Sequence, residues 1–307
     1  MNKKIVITGA SGLIGKKLVT ALTNRGDNVI VFTRNLDRSK SILSMAKSFV
    51  KWDYNQNQNW QEYIEGANAV VHLAGVNLFA KRWDKDFKKL IIKSREKSTN
   101  SLVNVINQCK VKPEMFVSAS GVGYYGDQQE TILNENSPKG KDFLSDVCYL
   151  WESEATKVEE SGVRRVSIRT GIVLSTKDGA LKQMLLPFKL FVGGPLGNGN
   201  QWFPWLHIDD IVGIYMHAID TSYVNGSINA ASPHMVRMKE FAKTLGKILN
   251  RPSSFPVPQF VLKTLVGEAA EVVTASQRIV VKKLLDSGYR FAFPHLEAAL
   301  RNLLDKK

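Results

Sequence analysis

The chain has 307 residues, of which 44% are apolar and 23% charged, a composition typical of a soluble globular protein with a large core. It has no apolar run long enough for a membrane span and no signal-peptide block, and its two cysteines fit a reducing compartment, so we expect a cytoplasmic protein without membrane contact. The net charge of +14 comes without an Arg-rich tail or basic–aromatic repeat, which favours a phosphate-bearing small ligand over nucleic acid.

Short β-branched runs alternate with helical patterns through the first half of the chain. Strands are predicted at residues 4–8, 29–33, 50–52, 69–73, 115–118 and 165–169, and helices at 12–25, 84–108 and 143–161. This alternation predicts right-handed βαβ units and a parallel sheet. Continuous apolar runs such as IVIT and VIVF indicate a sheet covered on both faces. The predicted fold is α/β, a Rossmann-type doubly wound parallel sheet.

The second half of the chain has a different texture. Glycines and prolines between residues 187 and 199 indicate loops, and a strand at 227–230 and helices at 239–250 and 259–287 follow. We therefore expect a smaller, mostly helical C-terminal lobe that binds the substrate. The predicted Rossmann domain covers residues 1–173, with 206–230 returning to it, and the substrate-binding lobe covers 174–205 and 231–307.

The segment TGASGLIG, at residues 8–15, joins the first strand to the first helix. A glycine can take the tight turn, a second lets the backbone approach a pyrophosphate, and a third permits close packing of helix on strand. The helix N-terminus then offers free N–H groups to phosphate. A plain turn would also fit, but the spacing favours a dinucleotide. The residues expected to contact it are Gly9, Ser11, Gly12, Leu13, Ile14 and Gly15.

The second strand ends in VIVFTRN, which places Thr33 and Arg34 where a carboxylate would hold a free ribose 2′-hydroxyl. An arginine can instead bind a 2′-phosphate with two hydrogen bonds. An exposed loop arginine is the alternative. The pattern predicts NADP(H) in preference to NAD(H) as cofactor.

Further motifs resemble the extended short-chain dehydrogenase/reductase superfamily. They are Asp53 after the third strand, HLAG at residues 72–75, the strand FVSAS with GVGYYG, and HIDD at 207–210. The segments SASGVGYYG, FLSDVCYLWE and GGPLGNGNQWFPWLHIDD are similar to its "epimerase family protein" group, putative sugar-nucleotide epimerases with a C-terminal domain of unknown function. The resemblance implies that Asp53 contacts the adenine and that Leu73, Ala74, Gly75 and Ser118 lie near the cofactor.

The same resemblance implies a catalytic Tyr-x-x-x-Lys pair, in which lysine lowers the tyrosine pKa, and this pair is absent. One alignment of the helix at 143–161 places Leu144 and Cys148 at the two positions, and another places Tyr149 and Ser153 there. The candidate catalytic residues are then Ser120, which would orient the substrate oxygen, and Tyr124. Tyr149 and Cys148 are further candidates.

Two functions remain open from the sequence. The first is an enzyme that moves a hydride to or from a small carbonyl, alcohol or sugar-type substrate. The second is an NADP-binding sensor or interaction protein that has lost catalysis. The aromatic residues at 202, 203 and 205 would either stack on a ligand or pack between lobes. No metal site is predicted, and relatives suggest a possible homodimer through the helices at 84–108 and 143–161.

Overall fold

The computed structural model describes residues 2–55 and 60–305 of the chain. The strands are β1 (Lys4–Thr8), β2 (Asn28–Thr33), β3 (Ser48–Lys51), β4 (Ala69–His72), β5 (Met115–Gly121), β6 (Ile132–Leu133), β7 (Arg164–Thr170), β8 (Ile172–Leu174), β9 (Trp202–Phe203), β10 (Trp205–His207), β11 (Gly226–Ala230), β12 (Val236–Arg237) and β13 (Arg278–Ile279). The helices are α1 (Leu13–Asn24), α2 (Leu36–Ile42), α3 (Gln61–Ile64), α4 (Lys85–Gln108), α5 (Phe143–Thr156), α6 (Ala180–Lys189), α7 (Ile208–Asp220), α8 (Met238–Leu249), α9 (Gln259–Val266), α10 (Glu271–Thr274), α11 (Lys282–Asp286) and α12 (Leu296–Leu304). None of these described helices is long and apolar enough to cross a membrane.

Within the described residues, seven strands form one parallel sheet in the order β11-β7-β5-β4-β1-β2-β3. The predicted doubly wound Rossmann-type fold is confirmed. All carboxyl ends of a parallel sheet lie at one edge, and this edge is where such folds bind their ligands. The loops after β1, β2, β4 and β5 therefore converge on one side of the molecule.

The first strand shows why the sheet is buried on both faces. Ile5 and Ile7 pack in the same cluster as Leu18 of α1, while Val6 points the other way and packs in the cluster that contains Leu102 of α4. All three strand residues are fully buried. Because consecutive side chains in a strand point to opposite faces, a continuous apolar run requires helices on both sides.

The predicted helix at 259–287 is wrong. The structure has α9, a 3-10 turn, α10, β13 and α11 in its place. Gly267 ends α9 with a φ of +65°, which a helix residue cannot adopt. The side-chain amide of Gln277 then donates to the carbonyls of Val122 and Gly126, at 3.1 and 3.0 Å. These tertiary contacts hold the segment extended against the end of β5. The segment predicted as a helix at 143–161 is α-helical to Thr156 and continues as a 3-10 helix over Lys157–Ser161.

The HIDD corner, where β10 meets α7, contains the buried carboxylate of Asp210. His207 caps α7, since its Nδ1 accepts from the Asp209 amide at 3.0 Å. The fully buried Asp210 carboxylate accepts hydrogen bonds from the amides of Ala292 and Phe293, at 2.7 and 3.1 Å. This carboxylate therefore ties the C-terminal segment to α7.

We expect Asp210→Ala to lower the free energy of unfolding by about 2–4 kcal/mol, because two backbone amides lose a buried, charged acceptor. Asp209→Ala, which removes the half-buried neighbouring carboxylate and its ion pair with Lys17, should cost less than about 1 kcal/mol. Urea denaturation of both variants measures the difference. Equal destabilisation by the two substitutions would contradict this role for Asp210.

Candidate active site

The glycine loop forms a close-packed turn at the carboxyl end of β1. Gly9 has a φ of +67°, and a Cβ there would lie 2.5 Å from the carbonyl carbon of Leu73. A Cβ on Gly15 would lie 2.5 Å from the Gly9 oxygen. Gly12 caps α1 without a side-chain hydrogen bond, and the first turn of α1 holds no acidic residue. The turn thus leaves backbone N–H groups for an anion, as a dinucleotide pyrophosphate requires.

Two further segments extend this edge of the sheet. Arg34 follows β2, is exposed, and makes no hydrogen bond or ion pair within the described parts of the chain. Thr33 is held by Ser39, with 2.7 Å between their hydroxyl oxygens. Asp53 follows β3, and one of its carboxylate oxygens accepts from the Asn55 amide at 2.9 Å. The guanidinium of Arg34 is therefore free to meet a 2′-phosphate.

The turn after β4 begins beside a buried histidine. His72 is fully buried, with its Nδ1 2.7 Å from the Thr8 hydroxyl and its Nε2 3.0 Å from the Ser98 hydroxyl. Burial lowers its pKa to about 3, so the ring is neutral and serves to join β1, β4 and α4. Leu73, Ala74 and Gly75 follow it and are partly or fully exposed to the cofactor edge.

Ser118 does not occupy the position predicted for it. It is fully buried within the sheet, and its hydroxyl lies 2.9 Å from that of Ser167 on β7. The strand continues to Gly121, so the residue that reaches the sheet edge is Ser120.

Beside this edge lies a cavity of about 690 Å³. Its walls come from the end of β5, from α4 and α5, and from the C-terminal segment at 271–277. This volume suits a small ligand. Residues of the wall that matter below are Trp83, Arg95, Ser120, Leu144, Cys148 and Trp151.

The structure shows which side chains of α5 face the cavity. Leu144 and Cys148 line it, and a Cβ on Gly123 would lie 3.4 Å from the Leu144 Cβ and 3.8 Å from the Cys148 sulfur. Tyr149 is 48% exposed and packs its ring against the Lys139 ammonium instead. Leucine and cysteine therefore stand at the positions expected for tyrosine and lysine, and Tyr149 does not reach the pocket.

Ser120 belongs to a buried polar network. Its hydroxyl donates to Oε1 of Glu152 at 2.6 Å. Arg169 donates to both oxygens of the same carboxylate, each at 2.8 Å, and the hydroxyl of Ser227 donates at 2.9 Å. Because its hydrogen is committed to Glu152, Ser120 offers lone pairs to the cavity and acts as an acceptor.

Tyr124 is not placed to donate a proton in this cavity. Its ring stacks on the Arg169 guanidinium, 3.5 Å from Cζ to the ring centroid, and meets Tyr125 edge to face. The described cavity wall includes Val122 and Gly123 but not Tyr124. The 3-10 turn that follows β5 places the Tyr124 ring on Arg169, which does not favour a proton-donor role, and the catalytic role of Tyr124 stays a prediction.

The aromatic loop at 202–205 packs between elements instead of lining the ligand site. Phe203 and Trp205 are at most 1% exposed, and the Phe203 ring lies 4.7 Å from that of Phe241. Trp202 donates to Glu130 at 2.9 Å and stacks on Arg237. Phe203 and Trp205 therefore pack between elements of the fold and do not stack on a ligand.

Sequence reasoning missed Arg95 as a site residue. It belongs to a basic run at 81–97, a pattern typical of solvated surface. Its spacing from Ile91, Ser98 and Leu102 is 4, 3 and 7 residues, and those three side chains are buried. Arg95 therefore lies on the inward face of α4, and this spacing is the signal that could have found it.

No group of three or more His, Cys, Asp or Glu side chains among residues 2–55 and 60–305 could hold a metal ion. Both cysteines are free and buried. Burial raises the pKa of the Cys148 thiol to about 12, with a further rise from Glu152. Cys148 therefore faces the cavity as a neutral thiol.

Comparison with known proteins identifies the family. Residues 5–231 match the NAD dependent epimerase/dehydratase family, and residues 257–303 match a domain of unknown function, DUF1731. The chain belongs to the NAD dependent epimerase/dehydratase family. The resemblance drawn from the sequence motifs is therefore confirmed.

Named relatives cover nearly the whole chain. The chloroplastic SDR39U1 homologue of Arabidopsis thaliana is 39% identical over 98% of this chain and 86% of its own length, and YfhF of Bacillus subtilis is 34% identical over 99% of both. A crystal structure of human SDR39U1 (isoform 2) with NADPH matches with a TM-score of 0.87 at 31% identity, over 99% of both chains. UDP-glucuronic acid 4-epimerase of Bacillus cereus, at 18% identity and a TM-score of 0.78, shares the fold.

The neutral Cys148 thiol gives a direct test. In a Cys109→Ser background, we expect Cys148 to react with a disulfide reagent at pH 8 at least about a hundredfold more slowly than in urea, since its thiolate fraction is small. Absorbance of the released thiolate measures both rates. A native rate equal to the unfolded rate would contradict the buried neutral state.

Proposed function

We propose that this protein binds NADP(H) and transfers a hydride to or from a small carbonyl, alcohol or sugar-type substrate, either as a net oxidoreductase or transiently as an epimerase. The observation that carries the proposal is the adjacency of two features. A glycine cradle free of acidic side chains lies at the carboxyl edge of the sheet, and a cavity with Ser120 in its wall lies beside it. We also propose that the protein is cytoplasmic.

The cofactor choice rests on Arg34 and on the relative described above. Arg34 is exposed after β2, and no carboxylate accompanies it in the TRN segment. The NADPH in the human SDR39U1 crystal supports the same preference over NADH. NADP(H) would supply or accept the hydride, and Gly9, Gly12 and Gly15 would hold its pyrophosphate.

The side chains of the protein would contribute to the reaction by positioning the substrate oxygen. Ser120 would accept the hydrogen bond of a substrate hydroxyl while it donates to Glu152. As the hydroxyl proton leaves, it would pass to Ser120 while the Ser120 proton moves to Glu152. Arg169 holds that carboxylate on both oxygens. Trp83 and Leu144 supply apolar walls that exclude water from the reacting carbon.

A sugar linked to a nucleotide diphosphate is not favoured as the substrate. The resemblance to sugar-nucleotide enzymes implies an arginine in the loop before the HIDD element, where it would bind the diphosphate. Phe203 stands at that place and is buried against Phe241. A smaller substrate without a diphosphate suits the cavity better.

A second candidate function is an NADP-binding sensor without turnover. The observation that favours it is the pair Leu144 and Cys148, which can neither donate nor accept a proton at neutral pH in the way that tyrosine and lysine do. Turnover of any carbonyl substrate separates the two candidates.

The cofactor proposal predicts a selective loss on substitution of Arg34. Arg34→Ala should weaken NADPH binding about tenfold or more and leave NADH binding unchanged, because a charge-assisted contact to the 2′-phosphate is lost. Fluorescence of the reduced nicotinamide reports both titrations. Lys47→Ala, the same charge change at the opposite edge of the sheet, is the control. Equal NADPH affinity of wild type and Arg34→Ala would contradict the assignment.

The role of Ser120 predicts a loss of turnover without a loss of cofactor binding. Ser120→Ala should lower kcat about a hundredfold for a carbonyl substrate found by NADPH oxidation, while the Kd for NADPH stays within about twofold. Ser167→Ala, a buried hydroxyl deletion on β7, is the control. Turnover of Ser120→Ala at the wild-type rate would refute the proposed contact with the substrate oxygen.

A further inference from the structure

A guanidinium forms part of the cavity wall without an acidic partner. Arg95 donates from Nη1 to the Ile91 carbonyl and from Nη2 to the Val76 carbonyl, both at 3.1 Å. Its Cζ lies 4.9 Å from the centroid of the Trp151 ring, and a Cβ on Gly75 would lie 3.2 Å from the same atom. The group is therefore fixed between a backbone turn and an indole ring.

The charge of Arg95 is unbalanced. Within residues 2–55 and 60–305, no carboxylate forms an ion pair with it. Burial lowers its pKa to about 10, which leaves the guanidinium protonated at neutral pH. Arg95 is half-buried in the cavity wall, and a charge with reduced access to water is usually paired. A guanidinium has five N–H donors, and two are used by the backbone, so three remain for a ligand.

The carboxylates that line the same cavity are engaged elsewhere or exposed. Glu130 pairs with Arg237 at 2.9 Å, and Asp127 accepts from the Ser276 amide at 3.1 Å. Asp142 caps the start of α5, nine residues and about 13 Å of helix before Trp151. The fourth carboxylate, Glu271, is exposed on α10. None of them neutralises Arg95 in the way that Glu152 neutralises Arg169.

The surroundings of Arg95 contain little else that is charged. Cys148 is a neutral thiol on one side, and Trp151 presents an apolar face on the other. Ser120 lines the same cavity and offers lone pairs. An anion bound here would contact one fixed cation beside an apolar wall. The planar guanidinium of that cation favours a planar carboxylate, which it can bind with two parallel hydrogen bonds.

We propose that Arg95 binds a carboxylate of the substrate, so that the substrate class is a small hydroxy or oxo acid whose reacting carbon lies beside Ser120. This inference rests on the proposed function for the identity of the reaction, but the carboxylate site itself stands on Arg95 and its cavity. The contact of the Arg95 guanidinium with the Trp151 ring orients the fork, and Gly75 lies against the same group.

The experiment uses intrinsic tryptophan fluorescence, because Trp83 and Trp151 line the cavity and the signal does not require cofactor. The probes are pyruvate and glycolate, with pyruvamide and glycolamide as neutral counterparts of the same shape and inorganic phosphate as a non-planar anion. Each is titrated with and without NADPH. The variants are Arg95→Met, which keeps the apolar stem, Arg95→Lys, which keeps the charge without the fork, and Lys93→Met, the same charge change at an exposed position of α4.

We expect wild type and Lys93→Met to bind at least one carboxylate about tenfold or more tightly than its amide and more tightly than phosphate. Arg95→Met should lose this preference, and Arg95→Lys should keep part of it. NADPH affinity and the thermal midpoint of unfolding should stay unchanged in all variants.

Two outcomes overturn the inference. In the first, wild type does not distinguish carboxylate from amide, or binds phosphate equally well. In the second, Arg95→Met loses NADPH affinity while Lys93→Met keeps it, which would assign the guanidinium to the cofactor. A wild-type protein that prefers carboxylate but binds no NADPH would instead leave the carboxylate site standing and refute the proposed function.

Discussion

The carboxylate of Glu152 is the contact on which the geometry of the site depends. It extends from α5 and joins three neighbouring strands by bonding Ser120 of β5, Arg169 of β7 and Ser227 of β11. A buried ion pair of this kind is costly to break from one side, about 3–5 kcal/mol, because the remaining charge stays unpaired. The network fixes the rotation of α5 about its axis, and with it the side chains that α5 presents to the cavity.

The cavity-facing side of α5 consists of residues three and four apart, namely Leu144, Val147, Cys148 and Trp151. Glu152 follows Cys148 by one helical turn and bonds the strands beside the cavity. A tyrosine and a lysine in place of Leu144 and Cys148 would carry a titratable hydroxyl and a positive charge. Here the helix supplies an apolar side chain and a neutral thiol, while the positive charge comes from Arg95 on the opposing helix, α4.

The sequence predicted those parts of the molecule whose cause is local. The glycine loop is determined by backbone sterics within eight residues. The strands of the sheet are predicted from apolar runs whose pattern does not depend on the rest of the chain. The sequence could not show whether α5 presents Tyr149 or Cys148 to the cavity. That orientation depends on the hydrogen bonds of Glu152 to two strands, β7 and β11, that come later in the chain. The helix predicted at 259–287 failed for a related reason. Its apolar pattern is typical of a helix, but the hydrogen bond from Gln277 to the Val122 carbonyl, just after β5, holds the chain extended.

The direction of the Ser120 hydrogen bond limits how the cavity can hold a substrate oxygen. Since the Ser120 hydrogen points to Glu152, its oxygen can accept from an alcohol but cannot donate to a carbonyl until that hydrogen is released. In the relay proposed above, the proton of an alcohol passes to Ser120 as the Ser120 proton passes to Glu152, so Ser120 would then donate to the carbonyl oxygen that forms. The same serine would hold both oxidation states of the substrate, and the position of one proton between Ser120 and Glu152 would distinguish them.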